Sequence, residues 1–449
     1  MAEPPPEPEE LDSPAPSPPA PPWTFALGVV VVAIFAAGFA VAFRWGLSTA
    51  LHLAAGVGDV VSAIATLPPL ARWLSPALGG LLAGLLGLLV ARKPSGHGVG
   101  DVMEAVVLGS VRLSMRVTLL KSAASWFAIV FGGSLGREGP LIQFGGSIGK
   151  VVSHWLRIPL TQARLLIAAG TAAGFAAAYN TPFAAVLFVL EVVTGMVVLD
   201  AILPALVATV IATAITRAVV GQGPIYGQRA FELESSAELL AFVGLAVFTA
   251  LGAQAFMRLL SAGERAFQRR WLPLPWRPAV GALLAGLIIA AMPEIAGNGY
   301  EPINQLLDGK FTLGFVALLL LGKGLATTAS VSSGSPGGVF TPILLVGGAT
   351  GFLYAHGLAA LGLSIGPPGG YVLVGMAGAT AATTHAPLMA AVMIFELSGD
   401  YAIALPLVVA VAIATIISRR LRPDSIYTAE LRRRGIHWEV TMDGRKVVR

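Results

Sequence analysis

The chain is 449 residues long, 55% hydrophobic and only 12% charged, with a mean hydropathy of +0.78. Soluble domains carry about 25% charged residues, so the bulk of this chain belongs in lipid, and a nucleic-acid-binding module with a basic, aromatic-studded face is not supported. It has no cysteine and a net charge of +5, which excludes disulfides and thiolate chemistry and makes the placement of the charge the informative quantity.

In chain order, residues 1–22 form a Pro-rich acidic tail carrying Glu3, Glu7, Glu9, Glu10 and Asp12. This is the reverse of the basic start of a secretory signal, and the tail is expected to be disordered. Apolar runs follow at 23–43, 77–91, 201–215, 239–256, 280–292, 311–329 and 402–417. A spanning helix needs ~20 apolar residues; several runs are shorter, and Gly or Pro interrupts many of them. The pattern predicts an all-α integral membrane protein of tilted and broken helices, not a β-barrel, whose strands would alternate. Basic residues gather at Arg92-Lys93 and in 150–164, 258–270 and 419–449, whereas 232–238 and 294–308 are more acidic. The positive-inside rule puts the basic segments in the cytoplasm, with 433–449 as a basic C-terminal tail.

Three blocks of sequence recur. Residues 76–85 match 278–287, and Gly136-Arg137-Glu138-Gly139-Pro140 matches Gly338-Val339-Phe340-Thr341-Pro342, each at an offset of 202. Glycines at 145, 146 and 149 follow the first, and glycines at 347, 348 and 351 the second. Asn180-Thr181-Pro182 running to Glu191 matches His385-Ala386-Pro387 running to Glu396, at an offset of 205. The order and near-constant offset predict two half-repeats, about 23–220 and 237–417. The repeat alone leaves parallel and inverted halves open.

The broken helices suggest a ligand. Glycine lets backbone N–H groups face a cavity, and Pro140 and Pro342 suit the first turn of a helix. A helix N-terminus carries about half a positive charge and free donors. Two such termini aimed at one place would bind a monovalent anion weakly enough to release it. The competing reading is that the glycines only permit tight helix packing. Glu138 tips the balance, because a charge at membrane depth costs about 2.5–3.5 kcal/mol and is usually functional.

At 136–140 and 337–342, supported by the segment ending in Glu191 and by Tyr427, the chain resembles the CLC family of chloride channels and chloride/proton antiporters. The resemblance covers roughly 23–432. It implies a homodimer in the inner membrane, each subunit built of two inverted halves with its own pore. It implies that Glu138 is the gating and proton-coupling glutamate, that the backbone at Arg137, Gly139, Val339 and Phe340 lines the anion path, and that the Tyr427 hydroxyl coordinates the central anion. The family's first pore motif, G-S-G-I-P, matches Gly96-His97-Gly98-Val99-Gly100, so His97 and Gly98 are anion-binding candidates with a histidine in place of the serine. The family's internal proton-relay glutamate matches Val192, which cannot titrate. Glu191 is a candidate substitute, although a buried hydrogen-bonded acid at the repeat interface is the favoured reading. Chloride/proton antiport is expected, with an uncoupled chloride channel or a fluoride-selective antiporter as alternatives; retention of Tyr427 favours chloride. Lys121 is either a bias toward anions or a carboxylate's partner. The histidines show no metal-ligand spacing, and no cofactor is implied. Ser134, Ser333 and Ser335 leave a remote intramembrane hydrolase, without an assigned base; the chain is read as a transporter rather than an enzyme.

Overall fold

The computed structural model describes residues 18–90, 98–108, 113–221, 223–227, 229, 231, 233, 235, 238–268, 272–441 and 444–448. His97 and most of the acidic N-terminal tail lie outside them. Seven helical stretches among the described residues are long and apolar enough to cross a membrane.

The first half contains α1 (Pro22–Ala55), α2 (Val60–Thr66), α3 (Pro69–Val90), α4 (Val99–Leu108), α5 (Met115–Val130), α6 (Glu138–Trp155), α7 (Leu160–Tyr179), α8 (Pro182–Leu187) and α9 (Leu199–Val220). A π-helical turn, Phe188–Thr194, leaves α8. The second half contains α10 (Glu238–Phe267), α11 (Arg277–Ala291), α12 (Tyr300–Leu307), α13 (Leu313–Ser332), α14 (Phe340–Ala360), α15 (Pro368–Thr384), α16 (Pro387–Ser398) and α17 (Ala404–Leu421). A short α18 (Ile426–Arg433) follows, then an antiparallel hairpin of β1 (His437–Thr441) and β2 (Gly444–Val448), pairing His437 with Val448. The sequence had pointed only to a basic tail there.

The recurring blocks meet each other. Residues of 76–85 in α3 pack on 278–287 in α11: a Cβ on Gly80 would run into the Pro278 carbonyl, and one on Gly286 into that of Trp73. Gly136 and Gly338 form an antiparallel backbone bridge, each N–H donating to the other's carbonyl at 2.7 Å. Equivalent residues paired in opposite senses require a two-fold relation, so the halves are inverted and α6 and α14 diverge from a common start. The 202 offset becomes 205 because α6–α7 occupies 138–179 whereas α14–α15 occupies 340–384. The three extra residues fall at the α14–α15 turn.

The glycines divide between two tasks. Gly145 of α6 abuts the Gly170 carbonyl of α7, and Gly347 of α14 abuts that of Gly375 in α15, so these permit backbone-close helix crossings. Gly136 and Gly338 instead belong to the bridge, which lies directly under a carboxylate.

Candidate functional site

Arg137 and Val339, the residues that precede α6 and α14, make no capping hydrogen bond with their own side chains. The first N–H groups are therefore open to an acceptor from elsewhere in the chain. Glu138, in the first turn of α6, folds back over the Gly136–Gly338 bridge. Its Oε1 accepts a 2.8 Å hydrogen bond from the Phe340 N–H at the start of α14. Its Oε2 accepts from Thr341 Oγ1 at 3.4 Å, and that hydroxyl also meets the Tyr179 hydroxyl at 3.1 Å. The carboxyl is 1% exposed, so these donors replace the water it has lost. A Cβ on either Gly136 or Gly338 would overlap its oxygens. Thus Glu138, Val339 and Phe340 converge, and an acidic side chain of one half fills the donor set of the other.

Phe340 is walled in by Phe175 and Tyr179, with ring centroids 5.7 and 5.5 Å away. These rings exclude water and leave the backbone donors, with the Thr341 and Tyr179 hydroxyls, as the polar surface. Arg137 stands beside the bridge with its guanidinium 5.0 Å from the centroid of the Tyr300 ring, a cation–π contact.

Tyr427 belongs to α18. It is buried and edge-on to Phe188 at 6.2 Å. A reciprocal cap starts its helix: the Thr428 N–H donates to Ser425 Oγ at 3.2 Å and the Ser425 N–H to Thr428 Oγ1 at 2.8 Å. Asp101 of α4 then ties four helices together. It accepts from Lys121 of α5 at 2.7 Å, Gln143 of α6 at 3.0 Å and Arg434, just past α18, at 2.7 Å. Lys121 is therefore a carboxylate's partner. Gly98 has φ +84° and is packed so closely that a Cβ would lie 3.0 Å from the Gly139 carbonyl. Both features favour glycine there, and they bring Gly98 against Gly139. Gly100 has its own reason: a Cβ there would sit 3.1 Å from a carboxylate oxygen of buried Glu430.

Glu191 and Glu396 sit away from this centre and mirror each other. Glu191 accepts from the N–H groups of Leu388 and Met389, at 3.2 and 2.7 Å, at the start of α16. Glu396 accepts from Phe183 and Ala184, at 3.1 and 2.8 Å, at the start of α8. Each half thus caps a helix of the other, with both oxygens engaged.

Several contributors went unread in the sequence. Thr341 stood inside a quoted motif, and Tyr179 directly before another. Lys323 is the repeat mate of Lys121, since 323 − 121 = 202. It is fully buried and donates to the Ile295 and Gly297 carbonyls at 2.9 and 2.8 Å, shaping the turn before α12. The offset already contained that signal. Ser134 bonds Thr327 at 2.9 Å and Ser333 donates to the Ser330 carbonyl at 2.7 Å, so neither is held by a base.

The family model described as voltage gated chloride channel matches residues 79–419. A ClcB-like chloride channel protein of Ralstonia nicotianae is 38% identical over 399 residues, 88% of this chain and 93% of that protein. The voltage-gated ClC-type chloride channel ClcB of Escherichia coli is 35% identical over 407 residues, 88% of this chain and 96% of its own length. Among solved structures, a slow cyanobacterial Cl−/H+ antiporter superposes with a TM-score of 0.80 at 26% identity, covering 92% of this chain and 98% of the other. A CLC-type fluoride/proton antiporter gives 0.76 at 24% identity, a likeness of fold, over 91% and 98%.

Proposed function

The chain belongs to the voltage-gated chloride channel, or CLC, family, and on that premise we propose that it carries chloride between the starts of α6 and α14 with Glu138 as the gate. The observation that carries this reading is the 2.8 Å hydrogen bond from the Phe340 N–H of one half to the Glu138 carboxylate of the other. A carboxylate oxygen and a chloride ion compete for such a donor. While Glu138 is charged and seated, the path is closed. An arriving anion displaces it, or a proton neutralises it, and a neutral carboxyl no longer matches the donors.

Arg137, Gly139, Val339 and Phe340 form the outer part of the path in this reading. Gly98 and Tyr427 form the inner part, and His97, outside the described residues, stays an anion-binding candidate. A hydrogen bond to a charged group contributes about 1.5–3 kcal/mol. The seat therefore holds Glu138 by a few kcal/mol, a range that an incoming anion overcomes by mass action. Chloride is favoured over fluoride by the names of the ClcB relatives and by the buried Tyr427.

Coupling to protons is the finer question. Antiport is favoured by the seated Glu138 and by likeness to a Cl−/H+ antiporter. Uncoupled conduction is favoured by Val192, which is 2% exposed in the π-helical turn and cannot titrate. Glu191 acts as the cap of α16 rather than as a relay, since both its oxygens already accept backbone N–H groups. The protein works as a transporter rather than an enzyme. A homodimer in the inner membrane belongs to the same reading. The deciding experiment follows chloride and pH together in liposomes under a chloride gradient without a proton gradient. Uphill proton movement supports antiport; chloride flux alone supports the uncoupled pore; no anion flux removes the transport reading.

A further inference from the structure

A second place for an anion lies outward of the gate. The Ala20 N–H donates to Gln162 at 2.8 Å, which anchors the start of α1 in the basic, cytoplasmic segment. Arg44 lies 44 − 22 = 22 residues into α1, about 33 Å along it at 1.5 Å per residue. That length crosses the ~30 Å hydrocarbon core, so Arg44 reaches the outer side. There a small recess, open to solvent, lies between α1, α6 and α7. Ala40, Phe43, Leu141 and two alanines of α7 form its apolar wall, and its only charged lining groups among the described residues are Arg44 and Arg137.

Two guanidinium groups facing one small apolar recess repel each other. Among the described residues no carboxylate lines the recess. Glu301 of α12 acts on both arginines from outside it. Arg137 is 9% exposed and fixed over Tyr300, whereas Arg44 is exposed. The enclosed part of the recess is about the size of one water, so it takes a single small anion whose remaining waters stay at the open mouth. An anion between the two charges relieves the repulsion, and the apolar walls strengthen that attraction.

We propose that Arg44 and Arg137 hold a small monovalent anion in this recess, as a waiting site outward of Glu138. The site raises the local anion concentration next to a gate that opens only when Glu138 leaves. Exposure of Arg44 keeps binding weak, so the anion passes on. The proposal rests on the anion-transport reading, with Arg44 as the added residue.

The chain has no cysteine, so Arg44→Cys supplies a single thiol in the full-length protein. Chloride uptake into liposomes is measured against external chloride before and after modification. Loss of the charge raises the half-saturating external chloride about two- to fivefold, the scale of one solvated charge contact. A cationic methanethiosulfonate returns it toward the wild-type value, an anionic one raises it further, and the maximal rate stays unchanged. Equal half-saturation with the cationic and anionic adducts overturns the proposal, because both are read on one folded preparation. Arg44→Lys against Arg44→Gln repeats the comparison without chemical modification: the lysine retains, and the glutamine loses, the low half-saturation. Indistinguishable values for the two would also overturn the proposal. Failure of the transport reading looks different, since the wild-type protein would then pass no chloride at all.

Discussion

Gly338→Ala tests how the gate is seated. The backbone at Gly338 is outside the left-handed region, so alanine imposes no conformational strain of its own. The added Cβ would overlap Glu138 Oε1, the oxygen held by the Phe340 N–H. The Gly136–Gly338 bridge is held by two 2.7 Å hydrogen bonds, whereas the carboxyl is the far end of a flexible side chain, so the carboxyl moves. Losing one hydrogen bond to a charged group costs the closed state about 1.5–3 kcal/mol. That shifts the closed-to-open ratio about 10- to 150-fold. The assay is chloride efflux from liposomes at neutral and acidic pH. Gly338→Ala is expected to raise the neutral-pH rate toward the acidic one and to flatten the difference between them. A variant that assembles normally and keeps the wild-type pH response would refute the seating argument.

Three further outcomes follow from the same geometry. Glu191→Gln and Glu396→Gln each lose a charged acceptor at a helix start and should destabilise the protein to a similar extent, about 1.5–3 kcal/mol, read by thermal unfolding in detergent. If only Glu191→Gln abolishes proton coupling, Glu191 is a relay and the capping role is insufficient. Tyr427→Phe should alter chloride-against-nitrate preference while assembly is kept, and an unchanged preference removes Tyr427 from the anion path. At the outer surface, Lys310 and Arg229 hold the Asp308 carboxyl below its ordinary value. A lowered folded pKa means stability that is present above the unfolded value of about 3.9 and lost as pH falls through the folded one. Hydrogen-exchange protection around 300–310, corrected for the intrinsic pH dependence of amide exchange, should therefore hold at pH 5–7 and fall only well below pH 4, a response that Asp308→Asn removes.

What could be read in advance depended on whether a feature was local or repeated. The Gly136 and Gly338 blocks announced each other through the constant offset, so the meeting of two helix starts was legible. The partner of Glu138 was legible only as a region, because no local rule selects the Phe340 N–H, 202 residues away. Glu191 and Glu396 showed their kinship through the repeat, but the exchange of caps between halves depends on how the halves dock. Gly100 looked like a bare departure from a proline until Glu430, distant in sequence, proved to fill the space beside it. The π-helical turn at Phe188–Thr194 could not be anticipated, since the matching residues of α16 form an ordinary α-helix. Lys323 was missed for want of extending the 202 offset to Lys121.

The central claim is that one side chain closes the path by occupying an anion's donors. The most direct measurement is chloride efflux from liposomes for Glu138→Gln beside the wild-type protein across pH 4.5 to 7.5. An amide carries no charge with which to compete for the Phe340 N–H, so the variant should run fast and independently of pH, with no proton movement. A variant whose chloride flux still rises with acid, as in the wild type, would contradict the account.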